Sequence, residues 1–279
     1  MTEPQAHPQS RSPALTGILA TTRDRVARLR PLRAELERAA AHAGQVPGWL
    51  APPPQREVAV VAEIKRRSPS AGAIAPALDP AAHARAYADG GAAALSVLTD
   101  ERHFGGSLAD LETVRRAVDL PVLRKDFIID PVQVFETRAA GASAVLLIVR
   151  ILGEETLHEL AALAADLGLT RLVEVHASGE LERAVAVSPE CIGVNARDLD
   201  TFSLHVEATG RVLRRVPGSA VAVAESGIRE RRDVERVAGE GADAILVGTA
   251  LAGAPDPAAA VRGLIGVRRR GRRTAGEPR

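Results

Sequence analysis

The sequence predicts an α/β fold, a single (β/α)8 TIM barrel with an N-terminal helical extension. Three observations carry this. First, eight short runs rich in Val, Ile, Leu and Ala recur between helix-like segments, roughly 20–40 residues apart. Second, "GGAAALSVLT", "AAGASAVLLIV" and "GEGADAILVG" share one pattern, in which a helix ends at Gly91, Gly141 or Gly241 and the chain then enters a strand. Third, the first run ends in "EIKRRSPSAG" and not in a glycine-rich GxGxxG turn, so the open dinucleotide-binding sheet lacks its fingerprint. Eight units within about 220 residues suit a closed barrel better than an open sheet.

Taken in order, residues 1–13 are rich in Pro, Ser, Gln and charge and are expected to be a disordered tail. From Leu15 to His42 the apolar residues Ile18, Val26, Leu29 and Leu36 have helical spacing, and Pro31 divides the stretch into two helices. "PGWLAPPP" ends this extension, which spans 14–54 of a 14–266 domain. The strands follow as "VAVVAE" (58–63), "AALSVLT" (93–99), "PVLRKDF" (121–127), "ASAVLLIV" (142–149), "TRLVEV" (170–175), "CIGVNARD" (191–198), "AVAVAES" (220–226) and "DAILVGT" (243–249). The basic end 267–279, beginning "VRRRGRR", is expected to be a solvated, disordered tail.

Composition removes several function classes. The chain has 279 residues, 46% of them apolar and 25% charged, as in ordinary globular proteins. A net charge of +1 does not make the whole molecule a polyanion binder, and 2% aromatics leave little for base stacking, so no nucleic-acid partner is expected. No apolar run reaches the roughly 18 residues of a membrane helix. The N-terminus lacks a secretion pattern and Cys191 is the single cysteine, so a cytoplasmic location is expected. No P-loop, HExxH or paired CxxC occurs, and His83, His103, His158, His176 and His205 are scattered, with none at metal-ligand spacing.

Barrel chemistry sits at the C-terminal strand ends. There the sequence places Glu63 and Lys65, Thr99 and Asp100, Lys125 and Asp126, Glu174, Asn195, Glu225 and Ser226, and Gly248 and Thr249. Side chains alternate along a strand, so Glu63 and Lys65 share a face while Ile64 packs outward. A single strand end of this kind reads equally as a structural ion pair. Their convergence from several strands, where buried charge is costly, points to a reaction site. Two lysines near carboxylates suit general acids or a Schiff-base former. Backbone N–H groups of Gly227, Gly248 and Thr249 offer a phosphate site. Phe104 and Phe127 fall at the mouth, where an apolar ring could rest. His176, two residues after Glu174, reads as structural or rim, and Arg66 and Arg67 as rim or solvated charges.

The stretches "VAEIKRRSPSAG", "ALSVLTDERHFGGS", "PVLRKDFIIDPVQVFETRAAGASAVLLI", "LVEVH", "IGVNARDL" and "AVAESGI" resemble the indole-3-glycerol phosphate synthase family, in order, from about residue 15 to 265. The resemblance implies a carboxy-lyase of tryptophan biosynthesis. Its substrate, 1-(2-carboxyphenylamino)-1-deoxyribulose 5-phosphate, closes to indole-3-glycerol phosphate with loss of CO₂ and water and with no cofactor or metal. It further implies that Lys125 is the general acid, that Lys65 holds the anionic substrate and assists dehydration, and that Glu174 and Glu63 act in proton transfer. Asn195 and Glu225 would bond the sugar hydroxyls. Ser226, Gly227, Gly248 and Thr249 would line the phosphate site, and Ser68 and Arg197 would meet the anthranilate carboxylate. Phe104, Phe127 and Leu146 would form the slot for the ring. The only partner implied is a small anion carrying a phosphate and a carboxylate; the chain is expected to be a monomer with at most weak contact with enzymes of the same pathway. Three positions depart from the common pattern: Ala71, His103 and Arg150. A neighbouring phosphosugar isomerase would need a Cys and Asp pair at strand ends, whereas Cys191 begins its strand. A non-catalytic relative would have lost lysines or glutamates from the ring, and all are present.

Overall fold

The structure, a computed structural model, describes residues 12–50 and 56–272. The expected N-terminal tail therefore lies almost wholly outside the described residues. Eight parallel strands, β1 (Ala59–Ile64), β2 (Ala94–Leu98), β3 (Val122–Lys125), β4 (Ala144–Ile148), β5 (Thr170–Val175), β6 (Cys191–Asn195), β7 (Val221–Glu225) and β8 (Ala244–Val247), pair in sequence order, and β8 returns to β1 to close the barrel. Closure is in register at Ala59 with Ala244 and, on the other side of β1, at Glu63 with Ser96. The strands are apolar almost throughout because both faces are covered, one by the barrel interior and one by helices.

The helices start where the sequence caps them. Asp79, Asp130 and Asp256 each accept backbone N–H groups just inside a helix whose first residue is proline: α3 (Pro80–Asp89), α5 (Pro131–Ala139) and α10 (Pro257–Arg262). Ser107 does the same for α4 (Leu108–Ala117). Gly91, Gly141 and Gly241 take φ of 92°, 80° and 95°, the left-handed conformation expected where a helix turns into the next strand. The remaining barrel helices are α6 (Glu154–Asp166), α7 (Leu181–Ala186), α8 (Val206–Leu213) and α9 (Arg231–Gly239). None of the described helices is long and apolar enough to cross a membrane.

Pro31 divides the N-terminal extension as expected: α1 (Pro13–Leu29) passes through a 3-10 turn, Arg30–Leu32, into α2 (Arg33–His42). α1 buries Leu15, Ile18, Leu19 and Val26. Its ends are tied to strand-end loops, Ser12 N–H to Asp200 at 2.7 Å and Arg25 to Asp126 at 2.7 Å. The first helix thus lies across the mouth of the barrel. Trp49, fully buried, donates its indole N–H to the Leu95 carbonyl.

The basic end is not a free tail over 267–272. Val267 is buried and its carbonyl accepts from Val58, Arg268 bridges Glu57, and Arg269 N–H reaches the Arg56 carbonyl. Arg269 and Arg272 both pair with Asp243, whose other donor is the Ala222 N–H. Asp243 precedes β8 at the end of the barrel opposite the mouth. A buried acid therefore recruits guanidiniums that by composition alone read as solvated. Residues 273–279 lie outside the described residues. Arg272 also donates to the carbonyls of Gly241 and Ala220. Arg272→Ala should cost about 1–3 kcal/mol, because it leaves part of a buried acid unpaired. A thermal melt falling by several degrees would show it, and an unchanged melt would refute it.

Candidate active site

Lys125 ends β3 with its ammonium at the centre of a charged floor. Its Nζ donates to Glu174 Oε2 at 2.7 Å and lies 3.3 Å from Glu225 Oε2. Strand register produces this cluster. Glu174 pairs with Ile148 across β4, and Glu225 pairs with Asn195 across β6, so three strands deliver their last inward residue at one level. On the adjoining β1, Lys65 Nζ lies 2.7 Å from Glu63 Oε1, as the two-residue step requires, while Ile64 is buried on the other face. Two glycines make room. A Cβ on Gly193 would occupy the position of the Glu225 carboxylate, and one on Gly248 that of Glu63 and Lys65.

Burial alone would drive the Lys125 ammonium toward its neutral form, but Glu174, Glu225 and Glu63 outweigh it and hold its pKa well above the usual lysine value. Lys125 is thus ringed by anions, not by cations. Burial also opposes charge on Glu174, yet Lys125 and His176 keep that carboxyl well below its ordinary range. Glu225 goes the other way. Burial, reinforced by the neighbouring Glu174, raises it above ordinary carboxylates despite Lys125. The floor holds one firm anion and one acid that retains its proton to higher pH, on either side of a single ammonium.

Above the floor opens a cavity of about 500 Å³, lined by every candidate site residue named from the sequence except Thr99, whose hydroxyl donates to Asp126 at 2.5 Å. Phe104 and Phe127 form an apolar wall with ring centroids 6.3 Å apart, beside Leu146. Ser68 sits on a two-stranded hairpin, Arg67–Ser68 against Gly72–Ala73, with its Oγ accepting the Ala71 N–H. Arg197 donates to the Phe202 carbonyl, and its N–H caps Asn195 Oδ1. Burial and the nearby Arg229 guanidinium depress its pKa. At the far end Ser226 and Gly227 both take positive φ, 65° and 75°, in the turn after β7. Gly248 and Thr249 open the short helix Thr249–Ala252.

Four features escaped the sequence reading. Ile18 of α1 enters the cavity, because the N-terminal extension folds over the mouth. Phe202, Leu199 and Leu204 add an apolar rim from the loop after β6, so three of the four phenylalanines line one cavity. Arg66 is not a solvated rim charge: it clamps Asp110 through both terminal nitrogens at 2.6 and 3.0 Å and donates to the Gly105 carbonyl, locking the β1 loop to the β2 loop. His176 is not on the rim either, with 2% of its side chain exposed beside Glu174. His103 contacts Thr21 Oγ1 of α1. Cys191 is fully buried at the start of β6, remote from the strand ends, and burial pushes its thiol pKa up.

A family model described as indole-3-glycerol phosphate synthase matches residues 15–264. Among curated relatives, an indole-3-glycerol phosphate synthase of Nocardioides sp. is 57% identical over 75% of this chain and 80% of its own length. That of Leifsonia xyli subsp. xyli is 52% identical over 85% and 91%, and that of Mycobacterium ulcerans 48% over 77% and 82%. Among solved structures, a thiamine phosphate pyrophosphorylase of Pyrococcus furiosus (TM-score 0.54, 20% identity, 74% of this chain and 93% of its own) shares the barrel fold. So does a 3-hexulose-6-phosphate synthase of Salmonella typhimurium (TM-score 0.57, 15% identity, 74% and 96%). With the match running through the helical extension and all eight strands, the chain belongs to the indole-3-glycerol phosphate synthase family.

Proposed function

We propose that the chain closes the pyrrole ring of indole-3-glycerol phosphate from 1-(2-carboxyphenylamino)-1-deoxyribulose 5-phosphate, releasing CO₂ and water. The observation that carries this is the Lys125 ammonium, held 2.7 Å from Glu174 beneath an aromatic wall and within reach of a second Lys–Glu pair. When the carboxylate-bearing ring carbon attacks the ketone carbon, a C–C bond forms and charge grows on the ketone oxygen. Lys125 donates its proton there. Loss of CO₂ returns the electron pair to the ring. The new hydroxyl then leaves as water, with Lys65 supplying the proton. Glu174 and Glu63 stabilise the cationic intermediate so formed, and one of them takes a proton from the neighbouring N-linked methylene carbon, whose C–H electron pair becomes the ring double bond.

Binding divides along the cavity. Phe104, Phe127 and Leu146 hold the benzenoid ring. Arg197 and Ser68 meet its carboxylate, because the ammonium groups of the floor are already paired. Ser226, Gly227, Gly248 and Thr249 surround the phosphate with backbone N–H groups. Asn195 and Glu225 bond the sugar hydroxyls, and a Glu225 that keeps its proton is a donor as well as an acceptor. Incubation of the purified chain with fresh substrate should produce indole absorbance at the rate of substrate loss; no product would overturn the reading.

Gly248→Ala tests the geometry. A methyl there must displace Glu63 or Lys65. kcat/KM is expected to fall by about 10², the cost of misplacing a reacting group by roughly an ångström. Steady-state kinetics within twofold of the parent would show that the pair needs no such clearance.

A further inference from the structure

Two features outside the expected set, His176 and Arg150, belong to one chain of charges that ends on Lys125. Glu174 Oε2 receives Lys125, and Glu174 Oε1 lies 3.2 Å from His176 Nε2. His176 Nδ1 lies 3.7 Å from Glu180 Oε2, and the same oxygen accepts the His176 backbone N–H at 2.6 Å. Glu180 Oε1 is bonded by Arg150 Nε at 2.8 Å, and Arg150 is anchored in turn on Asp198 at 2.6 Å. We infer that His176, as an imidazolium, is a positioning residue for Glu174: it fixes one carboxylate oxygen so that the other is presented to Lys125, with Glu180 and Arg150 holding the ring in place. The inference rests on the proposed roles of Glu174 and Lys125.

Charge and orientation together give His176 this role. The terminal torsion of a glutamate is broad, so a carboxylate bonded through one oxygen only can swing. Here both oxygens face cations, and the swing is stopped. Neither ring nitrogen of His176 makes a well-aligned hydrogen bond, although 2% of the side chain is exposed. A neutral imidazole would therefore be buried with no bond to offset its desolvation. An imidazolium between two carboxylates needs no such alignment, since ionic attraction is not directional. The charged groups facing the ring are Glu174, on the strand that ends just before His176, and Glu180 on the turn that follows; Arg150 acts only through Glu180, and Lys125 only through Glu174. Burial lowers the ring's pKa, but the two carboxylates outweigh it and raise it to about 9.

A pH profile of kcat separates positioning from mere packing. His176 loses its proton as pH rises, so the parent should show an alkaline limb near pH 9, where Glu174 loses its second cation. His176→Asn should lack this limb and show kcat lowered on the order of tenfold at neutral pH, with KM within twofold. Glu180→Gln removes one of the two anions facing the ring and should move the limb down by about one unit. kcat of His176→Asn within twofold of the parent, or the same limb persisting in it, overturns the inference. If His176→Asn does not fold, Glu180→Gln decides alone: a limb that stays in place overturns it. An inactive parent would instead refute the proposed reaction, so the two failures are distinguishable.

Discussion

Lys125→Ala is expected to lower kcat by about 10²–10⁴, the usual contribution of a general acid. KM should change far less, because the ammonium is bound by Glu174 and Glu225 before substrate arrives and its new interaction forms as charge develops on the ketone oxygen. The variant also strips a buried cation from two buried carboxylates, so it should lose stability at neutral pH. That loss should shrink as pH falls and the carboxylates take up protons. Lys125→Arg separates the two effects. A guanidinium keeps the charge balance, but its planar, longer fork cannot place an N–H donor where the compact Lys125 ammonium meets the ketone oxygen. It should restore the urea midpoint and leave kcat low. Turnover of Lys125→Ala within about tenfold of the parent would remove Lys125 from the role of acid.

Much of this site is legible in the amino-acid sequence. Alternation along a strand dictates that Glu63 and Lys65 share a face, and a closed parallel barrel brings the ends of all its strands together. Lys125, Glu174, Asn195 and Glu225 could be named because each ends an apolar run whose register is fixed by burial. What could not be read was whatever depends on a partner distant in sequence. Arg66 finds Asp110 44 positions away, and Arg272 finds Asp243 29 positions away; in composition both look like solvated charge. The ionisation of Lys125 has the same origin, since only assembly decides whether anions or cations surround it. Gly248 shows another limit. Its need for a missing side chain comes from Glu63 and Lys65 across the barrel seam, which no local pattern reveals.

Arg124→Met should destabilise the fold by about 3–5 kcal/mol, the cost of breaking a buried ion pair by removing one partner. At 2–4 °C per kcal/mol this is a fall of roughly 6–20 °C in Tm. Arg124 has no exposed side-chain area, yet its guanidinium is almost fully bonded. Nε donates to Thr99 at 3.2 Å and Nη1 to the Gln133 carbonyl and Thr137. Nη2 donates to Asp126 at 3.1 Å and Glu136 at 2.6 Å. Methionine fills much of the volume but offers none of these donors. Arg25 also reaches Asp126 and Glu136 from α1, so it retains part of the compensation, and the double variant Arg25→Ala, Arg124→Met should lose more than the sum of the singles. Arg124 and Lys125 are neighbours on β3 whose side chains point to opposite faces, one among the helices and one into the barrel. Removing Arg124 is therefore expected to act first on Tm, and replacing Lys125 by arginine on kcat. If Arg124→Met melts within 2 °C of the parent, the ion-pair network beneath β3 does not carry the stability assigned to it.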